Sequence, residues 1–227
     1  MQSYILTDLI KEVRVALDEN EVSTALIAAN DTDTLSLDRI IRQKLLDAAL
    51  MITRNTTSDM LDGGIDFPDI NKTITWHEGS EYNWGYLTLP SDFLRLVIFK
   101  MDDWLRPVTD PIYDYQQEYF LQKSKFSGIH GNVEKPVCAI TTYPAGRTME
   151  IFSCRPSDNA SIFVAKYIPE PSISGTPEAL SIPSKLKPAV IYYAAGLTAE
   201  DYKDENHAQV LMQIGLTLAK IQSATTK

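Results

Sequence analysis

The spacing of apolar and polar positions changes period twice along this chain, and those changes divide it. From Tyr4 to Asp18, Leu6, Leu9, Ile10, Val13 and Leu17 recur at helical spacing and predict a first amphipathic helix. The stretch Glu19 to Thr34 is less regular. In it an apolar patch, Ala25 to Ala29, runs into the polar turn or loop Asn30-Asp31-Thr32-Asp33-Thr34. Ser36 is placed to cap a second helix, with Leu35 and Ile40 as a hydrophobic staple. Leu37, Ile40, Ile41, Leu45, Ala48, Ala49 and Ile52 carry its buried stripe, which fades by Thr56 to Met60, and Gly63-Gly64 closes the region.

From about Asn71 the period becomes two. Thr73 to His77, Tyr82 to Leu89 and Phe93 to Met101 read as strands. The turn Asp102-Asp103 leads into Trp104 to Val108, which predicts a hairpin with the third of them. Asp110-Pro111 has the form of an N-cap followed by a proline at the first helical position. It predicts a helix to about Lys123 with Ile112, Tyr115, Tyr119 and Phe120 inward. Three more strands follow, Val137 to Tyr143, Thr148 to Cys154 and Ser161 to Ile168, joined by turns at Pro144-Ala145-Gly146 and Pro156-Ser157-Asp158-Asn159. Pro169 to Pro183, rich in proline, reads as an extended connector.

The helical period then returns. Pro183 and Pro188 flank the start of a helix whose buried face is Val190, Tyr193, Ala194 and Leu197. A polar break at Asp201 to Asn206, with Asp204 as the cap, separates it from a last helix with the face Ala208, Leu211, Met212, Gly215, Leu218 and Ala219. Ala194, Ala195, Gly196, Ala199 and Gly215 are small enough for the two backbones to approach closely. A glycine inside a helix costs roughly 1 kcal/mol against alanine, so Gly215 calls for a packing reason. The expected fold is α+β: a helical bundle formed by the N- and C-terminal helices (1–70 and 172–227) with an inserted antiparallel β-rich block (71–171) that carries one short helix.

Composition narrows the function more than it names one. The 227 residues are 44 % hydrophobic, enough for a core, and the formal net charge of −9 repels a phosphate backbone, which argues against a sequence-reading nucleic-acid binder. Two cysteines, Cys138 and Cys154, are too few for a disulfide scaffold and fall on predicted strands as buried free thiols. No apolar run approaches the ~20 residues of a membrane span, and the N-terminus lacks a signal-peptide pattern. The expectation is a soluble protein made in a reducing cytoplasm.

Chemistry-bearing motifs are missing. His77, His130 and His207 are far apart, the cysteines do not form a C-x-x-C pair, and no nucleophile elbow or phosphate-binding glycine loop is present. The densest carboxylates, Asp102-Asp103 and Glu200, Asp201, Asp204 and Glu205, sit on a hairpin tip and a helix link, where carboxylates are ordinarily solvated. No catalytic residue, cofactor or metal ligand is therefore assigned, and a non-enzyme is expected. Trp76, Trp84, Tyr86 and Trp104 lie on or beside predicted strands, where they either fill a sheet core or form an exposed stacking or docking face. Position on the amphipathic helices and the hairpin tip makes Asp102, Asp103, Trp104, Tyr193, Leu197, Leu211, Ile214 and Leu218 candidate interface residues.

Three segments carry a resemblance. Leu89-Pro90-Ser91-Asp92-Phe93-Leu94-Arg95-Leu96 precedes a hairpin ending Trp104-Leu105-Arg106-Pro107-Val108. A strand pair crossing Pro156 ends Ala165-Lys166-Tyr167-Ile168-Pro169-Glu170-Pro171. The closing helices begin around Ile191-Tyr192-Tyr193-Ala194-Ala195-Gly196-Leu197-Thr198-Ala199-Glu200. In this order they resemble the head-to-tail adaptor (connector) proteins of short-tailed phages. The resemblance implies a helical bundle with a β-rich insertion, assembled as a homo-oligomeric ring, usually twelve-fold, beneath the portal protein. It also implies neighbouring neck or tail ring proteins and a place in the virion at the head-tail junction after assembly in the host cytoplasm. DNA would pass through the lumen without specific binding, which an acidic ring favours. Some relatives extend a long C-terminal tail into the portal. Here only Ser223-Ala224-Thr225-Thr226-Lys227 follow the last helix, a departure that argues against that docking mode. The alternative expectation is a glycan- or protein-binding module of a phage tail that uses the sheet aromatics.

Overall fold

The structure is a computed structural model in which residues 1–17, 37–77, 83–124, 126, 128–144, 146–154, 160–202 and 205–221 are described. The expectations for 19–34, for Ser36 as a cap, for the turns at 78–80 and 156–159, and for the Asp204 cap lie outside those residues. Among the described residues the fold is mixed α+β. The chain begins with β1 (Gln2–Ile5), α1 (Leu6–Ala16) and α2 (Leu37–Asn55). It continues with β2 (Ile65–Asp66), β3 (Thr75–His77), β4 (Asn83–Thr88), β5 (Phe93–Met101), β6 (Ile112–Tyr113) and α3 (Gln117–Gln122). Then come β7 (Cys138–Tyr143), β8 (Gly146–Cys154), β9 (Ile162–Pro169), β10 (Ile173–Ser174), β11 (Ala179–Ile182), α4 (Lys187–Asp201) and α5 (Glu205–Leu218). Two compact units result, Met1–Asp62 with Glu170–Lys227, and Gly63–Pro169. The division at Gly63 precedes the expected Asn71, because β2 pairs with β9 and Phe67 is 2 % exposed in the core of the second unit.

In the first unit α4 is the central element. It packs against α5, α2 and α1, whereas α1 and α5 make little contact with each other. Ala189, Val190, Ile191, Ala194, Ala195, Gly196, Thr198 and Ala199 are buried around nearly its whole circumference, as a helix enclosed by others requires. Thr198 is tolerated there because its hydroxyl donates to the Ala194 carbonyl at 2.8 Å. The close approach of α4 and α5 accounts for the two helical glycines. A Cβ on Gly196 would lie 2.9 Å from the Ala208 carbonyl oxygen, and one on Gly215 would lie 2.9 Å from the Ala189 carbonyl oxygen.

Two expectations fail in this unit. The first helix starts at Leu6 rather than Tyr4, because Gln2–Ile5 pairs antiparallel with β11. The supposed connector 169–183 supplies β10 and β11, giving a three-stranded sheet in the order β1-β11-β10. Leu180 and Ile182, both fully buried, are the alternating inward positions that the proline content of this stretch masked.

The second unit has two sheets, in the orders β2-β9-β5 and β3-β4-β8-β7-β6. The block is not wholly antiparallel, since β6 pairs parallel with β7. β5 pairs with β9, not with residues 104–108, which meet it through a single bridge, Phe99 to Val108, with reciprocal 2.8 Å N–H···O bonds. Phe93, Leu96 and Phe99 are buried at a spacing of three, because register shifts interrupt the β5–β9 ladder between them. Asp110-Pro111 does not open a helix. Ile112–Tyr113 takes the sheet edge beside β7, and α3 forms only at Gln117. Tyr119 turns inward, but Tyr115 and Phe120 are 76 % and 65 % exposed, against expectation. Cys138 and Cys154 are buried free thiols, and burial pushes both thiol pKa values up, that of Cys154 to about 12.

Candidate functional site

The turn after β5 is not the exposed tip that the sequence predicts. Trp104 is 2 % exposed, meets Phe99 edge-on at 5.7 Å and donates its indole N–H to the Ser153 carbonyl at 2.8 Å. Its large apolar area and single donor are both satisfied inside the sheet core, so it offers nothing to a partner of this chain. Asp102 is exposed and accepts from the Ser161 hydroxyl (2.9 Å) and backbone N–H (3.1 Å). The hydroxyl bond, then the backbone bonds, hold its carboxyl below the usual range. Asp103 beside it is half-buried. The apolar side chain this turn does present is Leu105, 72 % exposed.

The helical candidates divide in the same way. Leu211 is 4 % exposed and belongs to the core, as its place on the inner face of the last helix predicts, and this removes it from the interface candidates. Tyr193 and Leu197 are half-buried against that core. Burial, then the Glu200 carboxylate, raises the Tyr193 phenol pKa. Leu218, expected on the buried face, is 41 % exposed and lines up with Ile214 (38 %) and with Val210 (58 %), which the sequence reading missed. These three lie at i, i+4 and i+8 on α5, along one edge of a buried row of Ala208, Leu211, Gly215 and Ala219. Gln209, Gln213 and Thr217 flank them. From Asn206 to Ala219 there is not one Asp, Glu, Lys or Arg, in a chain that is 22 % charged. A helix that faces water on one side ordinarily carries charges there, so this run was the available signal.

A second apolar surface on the same unit is a groove between α1 and α4. Val15, Ala16, Pro188, Ile191 and Tyr192 line it, and Val15 is 64 % exposed. At its rim Lys187 pairs with Glu12 at 2.6 Å and lies 5.1 Å over the Tyr4 ring.

In the second unit the aromatics split between the two roles expected of them. Trp104 fills the core. Trp76 is half-buried, and its ring lies across Gly85 of the paired strand, where a Cβ would come within 2.7 Å. His77 stacks on Trp84 at 4.3 Å and 20°, and on Tyr86 at 5.6 Å, making a partly exposed aromatic row on β3 and β4. Neighbouring this row is a polar cluster the sequence reading did not find. Glu150, paired in register with Tyr86, is fully buried and accepts a 2.5 Å bond from the Tyr143 hydroxyl. That bond and burial raise the Tyr143 phenol pKa; burial and then Glu150 raise that of Tyr119, over which Lys123 sits at 4.5 Å. The cluster ties β7, β8 and α3 together through one carboxylate.

No protein-family model matches this chain, and no curated protein matches it.

The surfaces themselves therefore carry the functional argument. Among the described residues no group of His, Cys, Asp and Glu has metal-site geometry, and no helix is long and apolar enough to cross a membrane. What the geometry offers is contact area: a charge-free helix face and an apolar groove on one unit, and an aromatic row on the other.

Proposed function

We propose that this protein is a structural adaptor of a phage head-tail junction, one subunit of a ring that sits beneath a portal and lets DNA pass. In this reading the unit Met1–Asp62 with Glu170–Lys227 is the helical bundle that builds the ring, and Gly63–Pro169 is its β-rich insertion. The observation that carries it is the outer face of α5, where Val210, Ile214 and Leu218 stand exposed in a run without charge. Such a face is costly to leave in water and is of use to a protein that is covered when assembled. The resemblance of residues 89–108, 148–171 and 191–200 to adaptor segments supports the same reading. A ring component needs no catalytic residue or cofactor, and a net charge of −9 per subunit keeps DNA from adhering to the wall it passes.

Native mass spectrometry of the chain alone and with a candidate portal tests the reading. A closed ring on the portal is the expected result; a chain that stays monomeric with every portal tried would sink it. The His77, Trp84 and Tyr86 row supports a second reading, a glycan- or protein-binding module of a tail. Glycan-array binding that disappears in Trp84→Ala would favour it.

A further inference from the structure

We propose that the outer face of the β3-β4-β8-β7-β6 sheet holds a small organic cation of the quaternary-ammonium type, seated on the Trp84 and Tyr86 rings and balanced by the Glu150 carboxylate beside them. Glu150 and Tyr86 are paired directly in register, so their side chains leave the sheet on the same face. Residues opposed in this way have Cβ atoms about 5 Å apart. Trp84, two positions from Tyr86, is paired with His77 and stacks at 6.4 Å on Phe152, two positions from Glu150. One carboxylate and the rings of the row therefore share a single surface.

Glu150 is the group that the fold does not explain. It is fully buried, and the Tyr143 hydroxyl reaches only Oε1; Oε2 is buried without a hydrogen-bond partner. A buried charge left in this state is costly unless something balances it. The groups Glu150 acts on, Tyr143 and Tyr119, are neutral phenols. The other charges at the cluster are Asp114, which also acts on Tyr119, and Lys123, whose ammonium lies 4.5 Å over the Tyr119 ring. Two carboxylates against one ammonium leave the face one negative charge in excess. Lys123 also shows the form a balancing cation takes here, since it meets the face of a ring.

That form selects the ligand. Oε2 lies below the surface, so a ligand cannot donate to it directly. A primary ammonium would give up water around three N–H groups in exchange for ring faces. A quaternary ammonium has no N–H to satisfy, and ring faces attract it within about 6 Å of their centroids. The carboxylate then acts on it through the low-dielectric interior without contact. The inference goes beyond the ring reading and needs neither a ring nor a portal.

Choline, titrated at constant ionic strength, tests it beside its uncharged carbon analogue, in which a tert-butyl group replaces the trimethylammonium. Tryptophan fluorescence reads the result, because Trp84 is half-buried in the row. Choline should shift the emission saturably, and the analogue should bind at least about ten-fold more weakly. Equal binding of the two, or binding of neither, would overturn the proposal without recourse to any variant. Glu150→Gln keeps the shape and removes the charge, so it should bring choline down to the affinity of the analogue. Tyr86→Leu, which removes a ring face and leaves Glu150 in place, should also weaken choline binding. Wild-type affinity in either variant would overturn the proposal. Glycan binding that Trp84→Ala removes, from a protein with no affinity for choline, would overturn it and leave the second reading of the row standing. Choline binding by a chain that joins no portal would support it while the ring reading fell.

Discussion

Of the twenty described residues that form the buried core of the helical unit, eight are alanines and none is aromatic, whereas the β unit closes its main core around Phe67, Phe93, Phe99, Trp104 and Tyr167. The two units solve close packing from opposite ends. Small side chains let α4 and α5 bring backbone against backbone, so stability there depends on nothing being added. Large rings span the space between two sheets, so stability there depends on nothing being removed. The contrast extends to surface: beside the small residues that pack it, α5 carries the large aliphatic residues Val210, Ile214 and Leu218 exposed.

The largest expected effect breaks the aromatic core. Phe99 is fully buried, edge-on to Trp104, and bonded through its backbone to Val108. Phe99→Ala should cost about 3–5 kcal/mol. All three tryptophans, Trp76, Trp84 and Trp104, belong to the β unit, so their fluorescence reports that unit alone, while far-UV circular dichroism is weighted to the helices. Chemical denaturation should show the fluorescence transition moving to lower denaturant. A loss below about 1 kcal/mol would mean that the site collapses freely and that the rings do not hold the unit.

The opposite change sharpens the other half. Gly215→Ala adds one methyl group to α5. By helix propensity alone it should stabilise by about 1 kcal/mol. Its Cβ would meet the Ala189 carbonyl oxygen and the Tyr193 backbone nitrogen at 2.9 Å, and neither can swing aside. We expect a net loss of roughly 1–2 kcal/mol, read from the circular dichroism transition. A gain in stability would show that the helices are not in backbone contact and would undo the comparison.

This is also where the chain was easiest to read in advance. Gly196, Gly215 and the alanines of α4 announce a tight helix pair because small residues at helical spacing have few other uses. The strands of the β unit were visible as period-two runs, but their partners were not. Phe93 to Met101 reads equally well as pairing with 104–108 or with β9, and only the inward Tyr167 and Ala165 of β9 decide it. Leu180 and Ile182 were obscured because the prolines around them signal a connector more strongly than two apolar residues signal a strand. On the surface, Ile214 and Leu218 were nameable from position. The burial of Trp104 was not, because a turn residue beside two aspartates reads as exposed, and nor was Val210 on the surface, because the apolar residues of α5 extend beyond its inner face and periodicity alone does not rank them.

The smallest expected effect concerns how the two units answer acid. In the helical unit Asp59 pairs with Lys220 at 2.5 Å and accepts from the Thr57 hydroxyl at 2.5 Å. The lysine bond first, then the threonine bond, draw its carboxyl down from 3.8 to about 2. A carboxyl whose pKa is lower folded than unfolded contributes stability at every pH above the unfolded value and loses it as pH falls through the folded value. The contribution of Asp59 should thus be whole at pH 7 and vanish between about pH 4 and pH 2. Because the pair is exposed, the effect should be small and weakened by salt. Asp102 of the β unit is also held low, but by a neutral hydroxyl on Ser161, which salt does not screen. Asp59→Asn should lower the circular dichroism midpoint at pH 7 and leave it unchanged near pH 2, without moving the tryptophan transition. Raising the ionic strength should erase the difference at pH 7. An equal effect of the substitution at both pH values would mean that Asp59 acts through packing rather than charge, and the helical unit would then owe its edge, like its core, to fit alone.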